Sequence, residues 1–572
     1  MKVSNLINYC DENQTGKSLI ILFLSLTVVF TISFKTIFNV HYSELQGWHS
    51  WLSASTIKFV NNWLKESPLE LSFVNYESPA SIEFNNVTER GPYISYPSGC
   101  TLFVYIFAKI FGKTEIDISF LKHFQMICFW LEALLFGLFT YRFLERNNIK
   151  SELEKTIVSF ATASLWFLLP TNVWYLANIY FSDQCITLFV MAFIVVEYEY
   201  LFSSKGSAKK LLNSIRILII FCGILIDYYF WIMAFVAFTL EIIYSIISQN
   251  RKHIWWCILW YGLPTILAIV FYMYQLMSIT NWVTIIEHKF LERSGMEQVN
   301  LDGNYTSFHW ILRRLIGNFQ GAFGIGPHKL VGYLLYLIVI THLVTQNHIL
   351  EPVKKIKNYI KDTVVQRNIL ILFIGFISPI LQVALLTNHS AIHEFSMIKF
   401  SWCIATVPII LSLIFSHVYF SNCSHKCGGE KFSSFFHGFI IIFTFVLIIT
   451  NVPFSSSSFR ASRMTEDTDY SLANILQSKT NYEHVCFSFT EEILENPPQE
   501  LSISHKRVYK INKLNDIQSM FPNLSSKAVK ILVINKKISK EISSDPKGQE
   551  IKLLSTNKPY FNDESYTLIK IP

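Results

Sequence analysis

Apolar runs of about twenty residues recur along the first 455 positions of this 572-residue chain. Each run is long enough to cross a hydrocarbon core of about 30 Å as a helix. Only 16% of the residues are charged, whereas soluble domains carry about a quarter charged residues. The sequence therefore predicts a polytopic α-helical membrane protein.

We predict about eleven membrane spans with a cytoplasmic N-terminus. The apolar run 214–248 is divided in two because one helix of this length would measure roughly 50 Å, and Asp227 interrupts the run. With this division Lys and Arg collect in the cytoplasmic loops. The predicted spans are residues 18–39, 118–142, 154–170, 183–203, 214–226, 228–248, 255–278, 330–346, 369–387, 398–420 and 435–453.

Three segments on the outer side are large enough for chemistry, namely residues 40–117, residues 279–329 and the tail. The tail is polar and contains four strand-like patterns and one helical pattern. We therefore predict a transmembrane domain over residues 1–454 and a small extracytoplasmic α/β domain over residues 455–572. The net charge of +7 lies in short loops between spans, so it does not indicate nucleic-acid binding.

The first outer segment places Glu44 a few residues beyond the first span, with His49 close by. A carboxylate there can act as a general base on an acceptor hydroxyl or help to bind a metal. The alternative is a solvated acid flanking a helix. The Trp-bearing segment 47–67 follows with helical spacing of apolar residues, which favours a helix in the headgroup plane or one packed within the outer domain.

The motif RGPYISYPSG closes this segment and contributes Arg90, Tyr93 and Tyr96. A guanidinium can grip a phosphate, and the Tyr rings can support a lipid or a sugar. A purely structural turn is the alternative, because the proline fixes the backbone and Ser98 opens the next helix.

Polar residues at the outer ends of later spans form a second group. Asp183 either serves the site or caps its helix, and Asp227 is a functional candidate or the polar turn of a helical hairpin. His393 and Lys399, in a short outer loop, can bind a phosphate leaving group.

Two basic residues and one cysteine motif complete the candidates. Arg313 and Arg314 offer an anion grip, although adjacent basic residues beside a membrane often contact lipid headgroups. The motif CSHKC at residues 423–427 has no matching second half, so we do not interpret it as a metal site. The chain also lacks a Walker motif.

Residues 40–200 resemble the GT-C class of integral-membrane glycosyltransferases, which includes protein O-mannosyltransferases and aminoarabinose transferases. The resemblance rests on an acid in the first outer loop, YPSG at 96–99, AKIFG at 108–112 and FSDQ at 181–184. This chain departs from the class in carrying Glu44 alone where an Asp-Glu pair or a lone Asp is usual. His49 and Asp227 therefore rival Glu44 as the base.

The resemblance implies transfer of a sugar from a polyprenyl- or dolichyl-phosphate donor to an acceptor hydroxyl at the outer face of the plasma membrane. Glu44 would take the hydroxyl proton while cations stabilise the departing phosphate. The acceptor class (glycan, lipid or protein) stays open. A divalent cation serves some members of the class, and no ligand cluster in the sequence decides the matter here. The candidate cations are Arg90, Arg313, Arg314 and Lys399.

Three alternatives stay open at this point. An O-antigen polymerase or ligase is also polytopic and uses lipid-linked sugars, but its large outer loop comes late in the chain. A transporter predicts related halves and charges midway along several spans. A non-catalytic membrane scaffold would use the tail as its working part.

Overall fold

The computed structural model describes residues 3–38, 49–78, 90–147, 151–203, 206–247, 251–294, 308–323, 363–407, 470–489, 498–536 and 559–571, apart from isolated positions in and beside these ranges. Two compact units divide the chain. The first contains residues 1–40, 125–271 and 283–462, and the second contains residues 41–124, 272–282 and 463–572.

Helices account for the described part of the first unit. The long N-terminal helix packs against the helix that begins at Glu152, and the helices that begin at Ser182 and Gly206 pack against each other. The bounds of the first nine helices of the chain are α1 Val3–Ser33, α2 Ser50–Glu66, α3 Gly99–Ile110, α4 Ile118–Arg146, α5 Glu152–Leu168, α6 Ser182–Phe202, α7 Gly206–Ile224, α8 Tyr228–Ile247 and α9 Arg251–Met277. Next come α10 Trp282–Ser294, α11 Phe308–Phe323, α12 Thr363–Leu385, α13 Thr387–Ile392 and a 3-10 helix at Glu394–Phe400.

Six helices of the described part are long and apolar enough to span a membrane, which makes the chain an integral membrane protein. They are Gln14–Phe38, Ile118–Arg146, Ser182–Phe202, Tyr228–Ile247, Arg251–Met277 and Val364–Leu385. The spans predicted at 154–170 and 214–226 are helices α5 and α7, which are not among these six. The predictions at 330–346 and 435–453 lie outside the described residues, as does most of 398–420.

The break at Asp227 is present in the structure. Helix α7 ends at Ile224, three residues turn, and α8 begins at Tyr228. The first helix of this hairpin begins at Gly206, earlier than the predicted residue 214, because its first turns carry exposed polar residues beside apolar ones. Arg216 is inside this helix and fully buried.

The second unit combines two short strands, β1 Asn75–Tyr76 and β2 Pro92–Tyr93, with helices and a larger sheet. That sheet has five strands in the order β4-β3-β5-β7-β6, with β3 parallel to β4 and β5, and β7 antiparallel to β5 and β6. Apolar side chains cover both of its faces. The strands are β3 His484–Ser488, β4 Val508–Lys510, β5 Val529–Asn535, β6 Phe561–Asn562 and β7 Tyr566–Ile571, and the helices beside them are α14 Ser471–Lys479, α15 Pro498–Ser504 and α16 Asp516–Met520.

Helix α2 is buried rather than spread on a surface. Most of its residues are inaccessible, including the polar Lys58, Asn61 and Asn62, and it packs on α3 and α15. The side chain of Asn61 exchanges hydrogen bonds with the backbone of Ile116, at 2.8 and 3.0 Å. A helix in the headgroup plane would leave a polar face to water, so the burial supports the alternative of a helix packed within its own unit.

Candidate functional site

Three of the predicted polar residues form one buried cluster in the first unit. Lys399 Nζ lies 2.7 Å from Asp183 Oδ1 and 3.2 Å from Asp227 Oδ2. The three side chains are at most 2% exposed. We call Asp183, Asp227 and Lys399 the Asp-Lys-Asp cluster.

The ends of three elements position this cluster. Asp183 is the second residue of α6, and Lys399 is in the 3-10 helix Glu394–Phe400. Asp227 immediately precedes α8, and its Oδ1 accepts a hydrogen bond from the backbone N–H of Tyr229 at 2.7 Å. The N-cap position of α6 is Phe181, and Asp183 is ion-paired with Lys399. Asp183 therefore does not occupy the cap position of its helix.

The cluster has two carboxylates and one ammonium group, so it carries excess negative charge when both acids are ionised. Burying an uncompensated charge is costly. Asp183 Oδ2 is buried and accepts no hydrogen bond from the part of the chain that the structure describes. This oxygen therefore has unused capacity to accept a hydrogen bond.

The pairing of Lys399 bears on its predicted role as a phosphate-binding cation. Its ammonium contacts both carboxylates and lies 5.2 Å from the centre of the Tyr229 ring. In this arrangement Lys399 offsets part of the negative charge of the two acids and holds them together. Phosphate binding by Lys399 stays a prediction, and it requires that one of these ion pairs opens.

Two histidines follow α12 beside the cluster. The rings of His389 and His393 are 4.6 Å apart, and His393 stacks on Phe395 with ring centres 4.9 Å apart. Burial lowers the pKa of His393, although the negative charge of Asp183 acts in the opposite direction. Burial also lowers the pKa of His389 well below its usual value. Both imidazoles are therefore neutral at neutral pH.

Sequence reasoning missed one member of this region. Tyr175 lies in a π-helical turn at Asn172–Leu176, and its hydroxyl donates to Glu394 Oε1. Both side chains are buried. The available signal was the segment TNVWYLANIYFSDQ, in which polar residues are interspersed in an otherwise apolar part of the chain.

Arg90 belongs to the second unit and is bound to protein groups. Its Nη1 lies 2.6 and 2.8 Å from the two carboxylate oxygens of Glu66, while Nε and Nη2 donate to the carbonyl of Ser78. The guanidinium is buried. These contacts connect the end of α2 to the segments that follow β1 and precede β2. They agree with the alternative prediction, in which this motif has a structural role and binds no phosphate.

The other predicted residues of this unit are only partly described. Glu44 lies outside the described residues. His49 is buried immediately before α2, with a left-handed backbone at φ 66°. Tyr93 is half-buried with its ring 5.4 Å from that of Phe59, and Tyr96 is buried. Ser98 occupies the N-cap position of α3, as predicted.

Arg313 and Arg314 lie on α11, and both are exposed. The Arg314 guanidinium is 5.4 Å from the centre of the Trp310 ring. Neither arginine forms an ion pair with another described residue. Of the four candidate cations, these two retain free positive charge.

The second unit also contains a cavity of about 680 Å³. Charged and polar side chains line it, among them Lys113, Asp117 and Gln477, together with Glu115 and His505, which contact each other. None of the described candidate residues lines this cavity.

For an ion, the described residues offer one set of three close donors in the first unit. These are Glu241, His253 and Cys257, and Glu241 lies toward the end of α8 that is far from Asp227.

Comparisons with known proteins bear on the fold. No protein-family model matches the chain, and neither does any curated protein. The chain is similar to the oligosaccharyltransferase of Archaeoglobus fulgidus, solved in the apo form. The identity is 9%, the TM-score is 0.50, and the match covers 92% of this chain and 70% of the other.

Two further solved structures are similar at lower TM-scores. The AglB oligosaccharyltransferase of A. fulgidus, in complex with an inhibitory peptide and a dolichol-phosphate, is 12% identical with a TM-score of 0.49, covering 92% of this chain and 70% of that one. ArnT of Cupriavidus metallidurans bound to undecaprenyl phosphate is 9% identical with a TM-score of 0.44, covering 96% and 97%. The resemblance to the GT-C class is confirmed for the fold, and the chain is an integral membrane protein whose fold is similar to that of the A. fulgidus oligosaccharyltransferase.

Proposed function

We propose that this protein transfers a sugar from a polyprenyl- or dolichyl-phosphate donor to an acceptor hydroxyl at the outer face of the membrane that it spans. The observation that carries the proposal is the Asp-Lys-Asp cluster within a fold shared with an oligosaccharyltransferase. Buried ionisable groups at the ends of membrane helices are costly, which favours a functional reason for their presence.

The location of the cluster agrees with chemistry at a membrane surface. Asp183 is the second residue of α6, and Asp227 lies in the turn between α7 and α8, so both are at the same end of these three helices. A lipid-linked sugar has its chain between helices and its polar head at such an end. Positive-inside reasoning assigns this end to the outer face.

In the proposed reaction the acceptor oxygen attacks the anomeric carbon as the bond from that carbon to the phosphate oxygen breaks. The acceptor proton passes to a base, for which Glu44 is the first candidate, with His49 and Asp227 as rivals. The lipid phosphate leaves with the bonding electron pair. Arg313 and Arg314, whose charges are free of described acids, are the candidate cations that remain available to stabilise it.

The Asp-Lys-Asp cluster has a binding role in this scheme. Asp183 Oδ2 is free to accept a hydrogen bond from a sugar hydroxyl, and Lys399 fixes the carboxylate that offers it. Fixed dipoles and charges that need no rearrangement contribute most to the stability of a transition state. Tyr93 and Tyr96 stay candidates for contact with lipid or sugar.

The test compares cell-envelope glycans by mass spectrometry in cells with the gene, without it, and with the D183N variant. The proposal expects one sugar modification to disappear without the gene and to fall strongly with D183N. The exposed-acid variant E70Q serves as the matched control and should behave as wild type. Identical glycans with and without the gene would refute the proposal, and full modification by D183N would remove Asp183 from the site.

A further inference from the structure

A second buried cluster lies at the opposite end of helices α6, α7 and α8. Glu197 follows Asp183 by fourteen residues along α6, and Glu241 follows Asp227 by fourteen residues into α8. At a rise of 1.5 Å per residue, fourteen residues of helix separate the two acids of each pair by roughly 20 Å. This cluster is therefore separate from the Asp-Lys-Asp cluster.

Arg216 of α7 joins the two glutamates. Its Nη1 lies 3.1 Å from Glu197 Oε1 and 3.2 Å from Glu241 Oε1. The guanidinium also lies over the rings of Tyr200 and Tyr261, at 4.2 and 4.9 Å from their centres. One guanidinium balances only one ionised carboxylate, so the second glutamate requires either a proton or a further positive charge at this buried position.

Two more donor groups converge on the glutamate of α8. The Cys257 thiol donates to Glu241 Oε2 at 3.0 Å, and His253 Nε2 lies 3.5 Å from the same oxygen. The donor atoms of these three residues all lie within 4.8 Å of one another. His253 and Cys257 are four residues apart on α9, which places them on one face of that helix.

These donors match the ligands of Zn²⁺. Zinc takes thiolate, imidazole and carboxylate ligands at about 2.0 to 2.3 Å, which separates tetrahedral ligand atoms by about 3.5 Å. The two distances to Glu241 Oε2 fall close to this separation. The Cys257 sulfur and Glu241 are buried, whereas the side chain of His253 is 22% exposed and leaves a route of entry.

We propose that Glu241, His253 and Cys257 bind Zn²⁺, with a water molecule as the fourth ligand. On binding, the thiol loses its proton to solvent and the thiolate coordinates the metal while His253 stays neutral. The cluster then holds two carboxylates and one thiolate against a divalent ion and one guanidinium, so its charges cancel. The metal also ties the end of α8 to the start of α9.

The surrounding residues support the ligands. The Tyr261 hydroxyl donates to Glu241 Oε1 at 3.4 Å, and Arg216 contacts the same oxygen. Both leave Oε2 for the metal. Partners of this kind orient a ligand and tune the affinity of a metal site.

The test measures zinc in the full-length protein, purified in detergent and with any affinity tag removed. The chain is equilibrated with buffered micromolar Zn²⁺, separated from free metal, and analysed by mass spectrometry for metal and protein. We expect about one retained zinc ion per chain, lost in the H253Q and C257S variants. The C222S variant, which removes a half-buried cysteine of α7, should retain it.

The motif CSHKC at residues 423–427 requires its own control. The C423S/C427S double variant should still retain zinc, and Co²⁺ bound to it should show the absorption of a thiolate-coordinated ion. Loss of all zinc from this double variant, or equal zinc in wild type and C257S, would overturn the proposal. Should C257S not fold, absence of the thiolate–cobalt absorption in the double variant would overturn it as well.

Discussion

Removal of the ammonium group of Lys399 is the sharpest test of the buried Asp-Lys-Asp cluster. In a K399M variant the side chain keeps its approximate size, but Asp183 and Asp227 lose the charge that lies 2.7 and 3.2 Å away. Removing one partner of a buried ion pair typically costs about 3–5 kcal/mol, because an uncompensated charge stays behind. We expect a loss of this order in the free energy of unfolding.

A rescue experiment separates electrostatics from packing. The triple variant D183N/K399M/D227N removes all three charges, so it should recover more than half of the stability that K399M loses. K252M is the matched control, because Lys252 is exposed at the start of α9 and its loss should change stability by less than about 0.5 kcal/mol.

The assay is unfolding of the purified protein in detergent, followed by tryptophan fluorescence at fixed pH. A K399M variant as stable as K252M would show that the ion pairs contribute nothing. A triple variant no more stable than K399M would show that lost contacts, rather than stranded charge, cause the destabilisation.

Three further predictions concern packing, an arginine and acid stability. G375A should unfold about 1–3 kcal/mol more easily than wild type or fail to fold, because a Cβ there would lie 2.0 Å from the Trp402 ring, whereas G262A meets nothing within 4 Å and should be neutral in thermal unfolding. R90K should increase proteolysis of the second unit, because a lysine cannot reproduce the contacts of the guanidinium with Glu66 and Ser78, while K65R should not. The hydrogen bond from His505 lowers the pKa of Glu115, so the ionised carboxylate stabilises the fold above the ordinary carboxyl pKa, and this stabilisation is lost as pH falls through the lowered pKa. In E115Q the melting temperature should therefore fall less steeply than in wild type over this acidic range. An unchanged pH dependence would contradict the assignment.

Local features of the sequence predicted the parts of the fold that depend on local physics. The length of the run 214–248 and the position of Asp227 predicted a helical hairpin, and the structure has α7 and α8 with a turn between them. The turn before α3 followed from the proline and serine of YPSG. The length of an apolar run and its local composition are sufficient to predict such elements, because residues close together in the sequence determine them.

Pairings between distant residues were beyond the reach of the sequence. Lys399 is far along the chain from both Asp183 and Asp227, and no spacing rule connects them. Each was a candidate alone, and the structure makes them one cluster. The same limit applies to Arg216, since its partners Glu197 and Glu241 are on other helices.

Burial of a polar helix was also difficult to foresee. The tryptophans and alternating polar residues of α2 are typical of a membrane-surface helix. Lys58 and Asn62 are nevertheless buried, because Glu77 pairs with the lysine at 2.8 Å and backbone carbonyls accept hydrogen bonds from the amide. Such partners come from other segments, so the helix pattern alone does not reveal them.

The most direct measurement of the central claim is sugar transfer by an E44Q variant that folds as wild type does. Purified protein in lipid vesicles would be supplied with envelope lipid-linked sugars as donors and with envelope glycans, lipids and proteins as acceptors, and release of polyprenyl phosphate would be followed by mass spectrometry. The account predicts phosphate release by wild type and by the control E70Q, with a loss of at least about a hundredfold in E44Q. No release by wild type would contradict the transferase assignment, and full release by E44Q would exclude Glu44 as the base.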